Sequence, residues 1–99
     1  MSDLVEPNFK LSRDLTPAAY RRACDKVNKR SLGWCEGNVE GVCPPRKHEG
    51  DHHHHVLSRA QGGEHTPQNL LFLCFAAHTW AHANPAKAVE LGLIRRRSA

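Results

Sequence analysis

HHVLSRAQGGEHTPQNLLFLCFAAHTWAH, residues 54–82, is the stretch whose reading decides the fold. It opens on His54-His55, turns at Gly62-Gly63, passes through an apolar run and closes on His78 and His82. The last two stand four residues apart in a segment of helical composition. Side chains at that spacing share a helix face with Cβ atoms about 5–6 Å apart, so both imidazoles reach one metal ion. The glycine pair lets the chain fold back, bringing an upstream histidine toward the same ion. Half of the chain's eight histidines lie in the run His52–His55. Its mid-chain position, leading directly into Val56-Leu57, excludes a purification tag.

Working outward, HHVL (54–57) reads as a short strand, NLLFLC (69–74) as its returning partner and AAHTWAHAN (76–84) as a helix. Asn84 caps a last helix that has Pro85 at its first position and runs to Gly92. Upstream, Thr16-Pro17 is a helix start and Gly33 a natural stop. Tyr20, Cys24 and Val27 share the docking face of that helix, which makes Cys24 a core thiol. Arg22, Lys26 and Lys29 lie on the opposite face. Residues 34–51, rich in Gly and Pro and without a period, read as a folded-back loop or irregular hairpin carrying Cys35 and Cys43. Leu57, Leu70, Leu71, Phe72, Leu73 and Phe75 are the expected core, and Trp80 is expected to pack rather than react.

A chain of 99 residues bounds the answer to one small domain. Its core is thin, and a metal or a partner would help it fold. No window is long and apolar enough for a transmembrane helix, and the acidic N-terminus is unlike a signal peptide, so a soluble cytoplasmic protein is expected. Cysteines in that compartment are thiols or metal ligands before they are disulfides. The formal charge of +4 is concentrated at the ends. Seven basic residues stand against Asp14 and Asp25 between Lys10 and Arg30, and Arg95, Arg96 and Arg97 close the chain. This pattern suits a polyanion such as nucleic acid, and ordinary solubilising charge explains it equally well.

The order His-His-hydrophobic, six residues to Gly-Gly, then Asn-Leu, Leu-Cys and His-x-x-x-His resembles the HNH endonuclease pattern. The resemblance covers residues 34 to about 93. It implies an α+β fold, a small ββα-metal, treble-clef-like core with an N-terminal helix and a short C-terminal helix. The expected organisation is a flexible arm (1–15), the HNH nuclease domain (16–94) and a basic tail (95–99). Counting back from Gly62-Gly63 places the motif pair at His54-His55. Carried over, His54, His78 and His82 are metal ligands, His55 is the general base, and Asn69 braces the loop and orients that base. In the family, a backbone carbonyl near the asparagine fixes the ring proton of the base. His52 and His53 lie outside the pattern, solvated or available to a second metal. Strict strand alternation sends His54 and His55 to opposite faces; giving one to the metal and one to the water follows from the resemblance. Arg59 is a candidate phosphate contact, with Arg22, Lys26 and Lys29 as further DNA-binding cations.

Many relatives carry a second, structural zinc held by two cysteine pairs. This chain keeps Cys35 and Cys74, has Ala77 where the last cysteine would stand, and offers Cys43 across a longer loop. His48, His52 or His53 could complete a Cys3His set; alternatively, apolar packing replaces the zinc.

The activity so implied is metal-dependent hydrolysis of DNA phosphodiesters, by nicking or double-strand cleavage, with one divalent cation (Mg, Mn, Ni or Zn). Resemblance to phage-borne relatives implies a role in genome packaging with a terminase partner. The competing class is a non-catalytic DNA-binding or packaging accessory module on the same fold. A histidine-rich nickel or zinc carrier is a third class, one that has no use for the ordered motif downstream.

Overall fold

The computed structural model describes residues 15–96. The basic tail from 97 onward and most of the expected N-terminal arm lie outside them. Element order is α1 (Pro17–Ser31), β1 (His52–His55), β2 (Leu70–Leu73), α2 (Phe75–Ala83) and α3 (Pro85–Glu90). This is the small α+β architecture of a ββα-metal fold.

Helix α1 starts where expected. The Thr16 hydroxyl accepts from the Ala19 amide at 3.0 Å, with Pro17 at the first turn. It ends at Ser31, two residues before Gly33, because Leu32 itself takes the left-handed conformation at φ 56°. The docking stripe is Ala19, Ala23, Val27 and Ser31, small residues at strict i, i+4 spacing. Tyr20 and Cys24 therefore flank the stripe, and Cys24 is only half-buried rather than a core thiol. Arg22, Lys26 and Lys29 are exposed.

β1 and β2 pair antiparallel, with His52 opposite Leu73 and His55 opposite Leu70. The strand is the histidine run itself, two residues earlier than HHVL suggested. The ladder continues irregularly past it, Val56 N–H donating to Asn69 O at 2.9 Å. Asn69 belongs to a 3-10 turn (Pro67–Asn69) rather than to β2. Helix α3 stops at Glu90, two residues short of Gly92.

The two-stranded sheet has a helix on each face. Leu70 packs with Ala23 and Val27 of α1. Leu73 packs on the other face with Ala77 and Ala81 of α2, Ala88 of α3, and Leu93. Val27, Leu70 and Leu73 are the largest fully buried side chains. Alanines at the contacts let the helices approach closely, but they bury little area, so hydrophobic stabilisation is modest. Phe75, expected in the core, is 63% exposed because it opens α2 on the solvent side.

One ion pair ties the layers. Arg30 grips both carboxylate oxygens of Glu36 at 2.7 Å and donates to Pro67 O and Leu70 O. Glu36 also accepts from the Phe72 amide at 2.9 Å. Burial raises the Glu36 carboxyl, but the Arg30 guanidinium and the Phe72 amide outweigh it, so the net shift is downward. The contribution is therefore complete above the ordinary carboxylate range and is lost as pH falls through the lower folded value. Glu36→Ala should cost about 1–2 kcal/mol by urea denaturation at neutral pH, discounted because Arg30 is screened by solvent. The difference from the parent should shrink in acid; a difference independent of pH would contradict this account.

Candidate active site and metal centres

Strand alternation divides the four histidines between the faces of the sheet. His52 and His54 turn toward α2: His52 stacks on His78 with centroids 4.5 Å apart, and His54 meets His78 and His82 edge-on at 5.3 and 5.5 Å. His53 and His55 turn toward α1: His53 lies against Phe72 at 4.7 Å and His55 stacks on Tyr20 at 6.0 Å.

On the α2 face, one ligand nitrogen from each of His54, His78 and His82 lies within 4.8 Å of the others. Nε2 of His54 is 2.7 Å from Leu93 O. A carbonyl only accepts, so the His54 proton is on Nε2 and its lone pair is on Nδ1. Such a carbonyl behind a ring is the usual way of fixing a metal-binding tautomer. Nδ1 of His78 is buried with no hydrogen-bond partner, a cost that a bound cation would remove. Burial, reinforced by His82, His52 and His54, pushes His78 down to about 4. Burial holds His54 below its ordinary value as well, so His54 and His78 are neutral donors at neutral pH, and a set of three imidazoles leaves coordination positions open. The set fits a divalent cation.

A second donor set lies behind β2. Sulfur atoms of Cys35, Cys43 and Cys74 and a ring nitrogen of His48 all lie within 4.8 Å of one another. His48 Nδ1 is 2.8 Å from Arg46 O, which puts its proton there and its lone pair on Nε2. That Nε2 is buried and unpartnered. The amides of Gly37 and Cys74 point at Cys35 Sγ from 3.4 and 3.3 Å. Burial raises the Cys35 thiol, but these amides and that of Asn38 bring it down to about 7. Burial and its cysteine neighbours push Cys43 up to about 11. Three sulfurs and one imidazole suit tetrahedral zinc. Of the three histidines open as a fourth donor, the fold brings only His48 to the cysteines. His52 stacks on His78, and His53 donates Nε2–H to Asn28 Oδ1 at 2.8 Å.

Asn69, 6% exposed, braces the connecting loop. Its side chain accepts from Leu57 N at 2.8 Å and donates to Leu57 O and Glu64 O at 3.0 Å. The Gly62-Gly63 pair serves the same turn. Gly62 sits at φ 95°, and a Cβ on Gly63 would lie 1.8 Å from Leu57 O. Asn69→Ala should lose about 1–3 kcal/mol, since it removes three part-buried hydrogen bonds, from Leu57 N–H and to the Leu57 and Glu64 carbonyls. Chemical denaturation checks this, and a loss under about 0.5 kcal/mol, the size of an ordinary surface substitution, would contradict it.

His55 departs from the family expectation. Its Nε2 meets not a backbone carbonyl but His65 Nδ1, at 3.0 Å. Burial, with His65, Arg59 and His54 adding like charge, holds His55 below its ordinary value. Arg59 is exposed in a 3-10 turn (Arg59–Gln61) and lines a cavity of about 530 Å³ with Tyr20, His53, His55 and His65. Arg22 and Lys26 line a neighbouring hollow that also reaches His65. Although they face opposite ways, His54 and His55 both border a hollow of about 280 Å³ completed by His82, Arg95 and Arg96. Arg95 is held there by its amide, which donates to Val56 O at 2.8 Å. His65 and the placement of Arg95 and Arg96 escaped sequence reasoning, which had left His48 open beside His52 and His53. The one available signal was the surplus of histidines over the motif.

A two-stranded antiparallel sheet backed by a helix, with three imidazoles converging between them, defines the ββα-metal class. Residues 35–84 match the family model described as HNH endonuclease. The chain belongs to the HNH endonuclease family, whose members bind a divalent metal and act on DNA. No curated protein and no solved structure matches the chain. No helix among the described residues is long and apolar enough to cross a membrane.

Proposed function

We propose that this protein is a metal-dependent endonuclease that hydrolyses DNA phosphodiester bonds, leaving 5′-phosphate and 3′-hydroxyl ends. The observation that carries the reading is the hollow where His54, His55 and His82 meet Arg95 and Arg96. It offers metal ligands, a base and anion-binding groups to one phosphate. His54, His78 and His82 would hold the cation, which when bound neutralises charge developing on the phosphate oxygens. His55, a neutral imidazole, takes the proton of the attacking water as its oxygen bonds to phosphorus and the 3′ oxygen leaves. Asn69 keeps the loop beyond His55 in register. Arg59, Arg95 and Arg96 contact the scissile or neighbouring phosphates, while Arg22, Lys26 and Lys29 extend the cationic track along α1.

The same reading gives Cys35, Cys43, Cys74 and His48 a structural zinc. The resemblance to phage-type proteins favours a role in genome packaging beside a terminase in the host cytoplasm.

A plasmid-nicking assay on the full chain, stripped of metal and reconstituted with Mg, Mn, Ni or Zn, tests the proposal. Conversion of supercoiled to open-circular DNA should require added cation and disappear in His82→Ala. Retained DNA binding with no cleavage under any cation would make the protein an accessory module instead.

A further inference from the structure

We propose that His65 is a positioning residue for His55, accepting its Nε2–H so that the lone pair stays on Nδ1. The inference rests on the reading of His55 as the base. His65 is 7% exposed and lies outside every role the motif assigns. Two ring nitrogens 3.0 Å apart bond only when one carries the proton and the other the lone pair. If His65 were the donor, it would occupy the lone pair of neutral His55, and the remaining nitrogen would be an N–H unable to take a proton from water. If His55 is the donor, its Nδ1 is free to act. Only the second arrangement leaves a base.

The neighbouring strand residue supports the same logic. His54 is also anchored through Nε2, on Leu93 O at 2.7 Å, which leaves its Nδ1 for the site. Each imidazole thus has its own Nε2 partner, on opposite faces of β1. Tyr20 restrains the His55–His65 pair further. Its ring stacks on His55 with 14° between planes and meets His65 edge-on at 5.1 Å. A rotation of His55 away from His65 would have to displace that ring. Helix α1, which supplies Tyr20, lies outside the family-matched residues 35–84, so this clamp joins the motif to the chain's own flanking helix.

The test uses the zinc-loaded full chain with ¹⁵N-labelled histidine. Long-range nitrogen–proton correlation spectra report which ring nitrogen of His55 carries hydrogen, independently of activity. The expected spectrum has protonated Nε2, unprotonated Nδ1 and a slowly exchanging Nε2–H signal. In His65→Ala that signal should exchange away and kcat should fall about tenfold to a hundredfold, with KM moving by less than about twofold. His65→Asn, whose carboxamide oxygen can accept the same proton, should keep the signal and recover part of kcat. A parent His55 protonated on Nδ1, or an unchanged His55 spectrum and kcat in His65→Ala, would overturn the inference. The expected spectra without any cleavage by the parent protein would support the His55–His65 bond while removing the nuclease reading.

Discussion

His55→Ala is expected to lower plasmid cleavage by about 10²–10⁴-fold while leaving metal content and DNA affinity unchanged. The separation follows from where the ring lies. His55 faces α1, stacked on Tyr20, whereas the three converging imidazoles lie between β1 and α2. Removing the His55 ring leaves Leu93 O on His54 and the His78–His82 contact untouched. The phosphate contacts proposed for Arg59, Arg95 and Arg96 would not pass through it either. The loss should therefore appear in kcat, with single-turnover cleavage slowed and filter-binding isotherms superimposed. His82→Ala should lower metal content as well, which distinguishes loss of a ligand from loss of a base. Full cleavage by His55→Ala would refute its role, and a parallel loss of metal would mean that the two faces of β1 are not independent.

Chelation of the zinc proposed for Cys35, Cys43, Cys74 and His48 is expected to abolish cooperative thermal unfolding. The described core offers Val27, Leu70 and Leu73 as its largest fully buried side chains, and alanines fill much of the rest. A structural zinc contributes about 10–16 kcal/mol in zinc-finger peptides, as large as the about 5–15 kcal/mol that holds a whole domain together. The ion would tie the Cys35–Cys43 loop to Cys74, whose sulfur accepts from Ala77 N at 3.4 Å and so begins α2. Loss of the ion would therefore loosen the helix that carries His78 and His82. Cobalt substitution gives a direct readout: a spectrum of three thiolates and one imidazole in the parent, altered in His48→Ala. Zinc affinity in that variant should drop by more than the roughly 10–100-fold typical of losing an outer partner. Unchanged cooperative melting after chelation, or a cobalt spectrum indifferent to His48→Ala, would rule out this zinc.

What the sequence could reveal followed from how far each signal reaches along the chain. Thr16-Pro17 as a helix start, the Gly62-Gly63 turn and the shared face of His78 and His82 are local, set by backbone preferences over a few residues. The family pattern is a string of such local signals in fixed order, so it was legible too. The strand was misjudged by two residues because a polar histidine run carries no apolar alternation; its register comes from pairing with Leu70–Leu73. The buried stripe of α1 was read rightly at Val27 and misjudged at Tyr20 and Cys24, because Ala23 makes the close approach to Leu70 while half-buried Tyr20 lies beside His53 and His55.

Other features depended on contacts between distant segments. Spacing left His48, His52 and His53 equal as partners for the cysteines. Pairing of Trp34 with Glu49 and the Cys35 N–H bond to His48 O bring His48 back, while the ladder holds His52 and His53 elsewhere. His65 meets His55 only because Asn69 folds the intervening loop onto Leu57. Arg95 reaches the site only because its amide joins Val56. The sequence by itself determined the chemical repertoire and its order along the chain, because those are written in residue types and short spacings. Tertiary structure decided which imidazole faces which partner, because a ring's tautomer and direction are set by whatever long-range packing places against its second nitrogen.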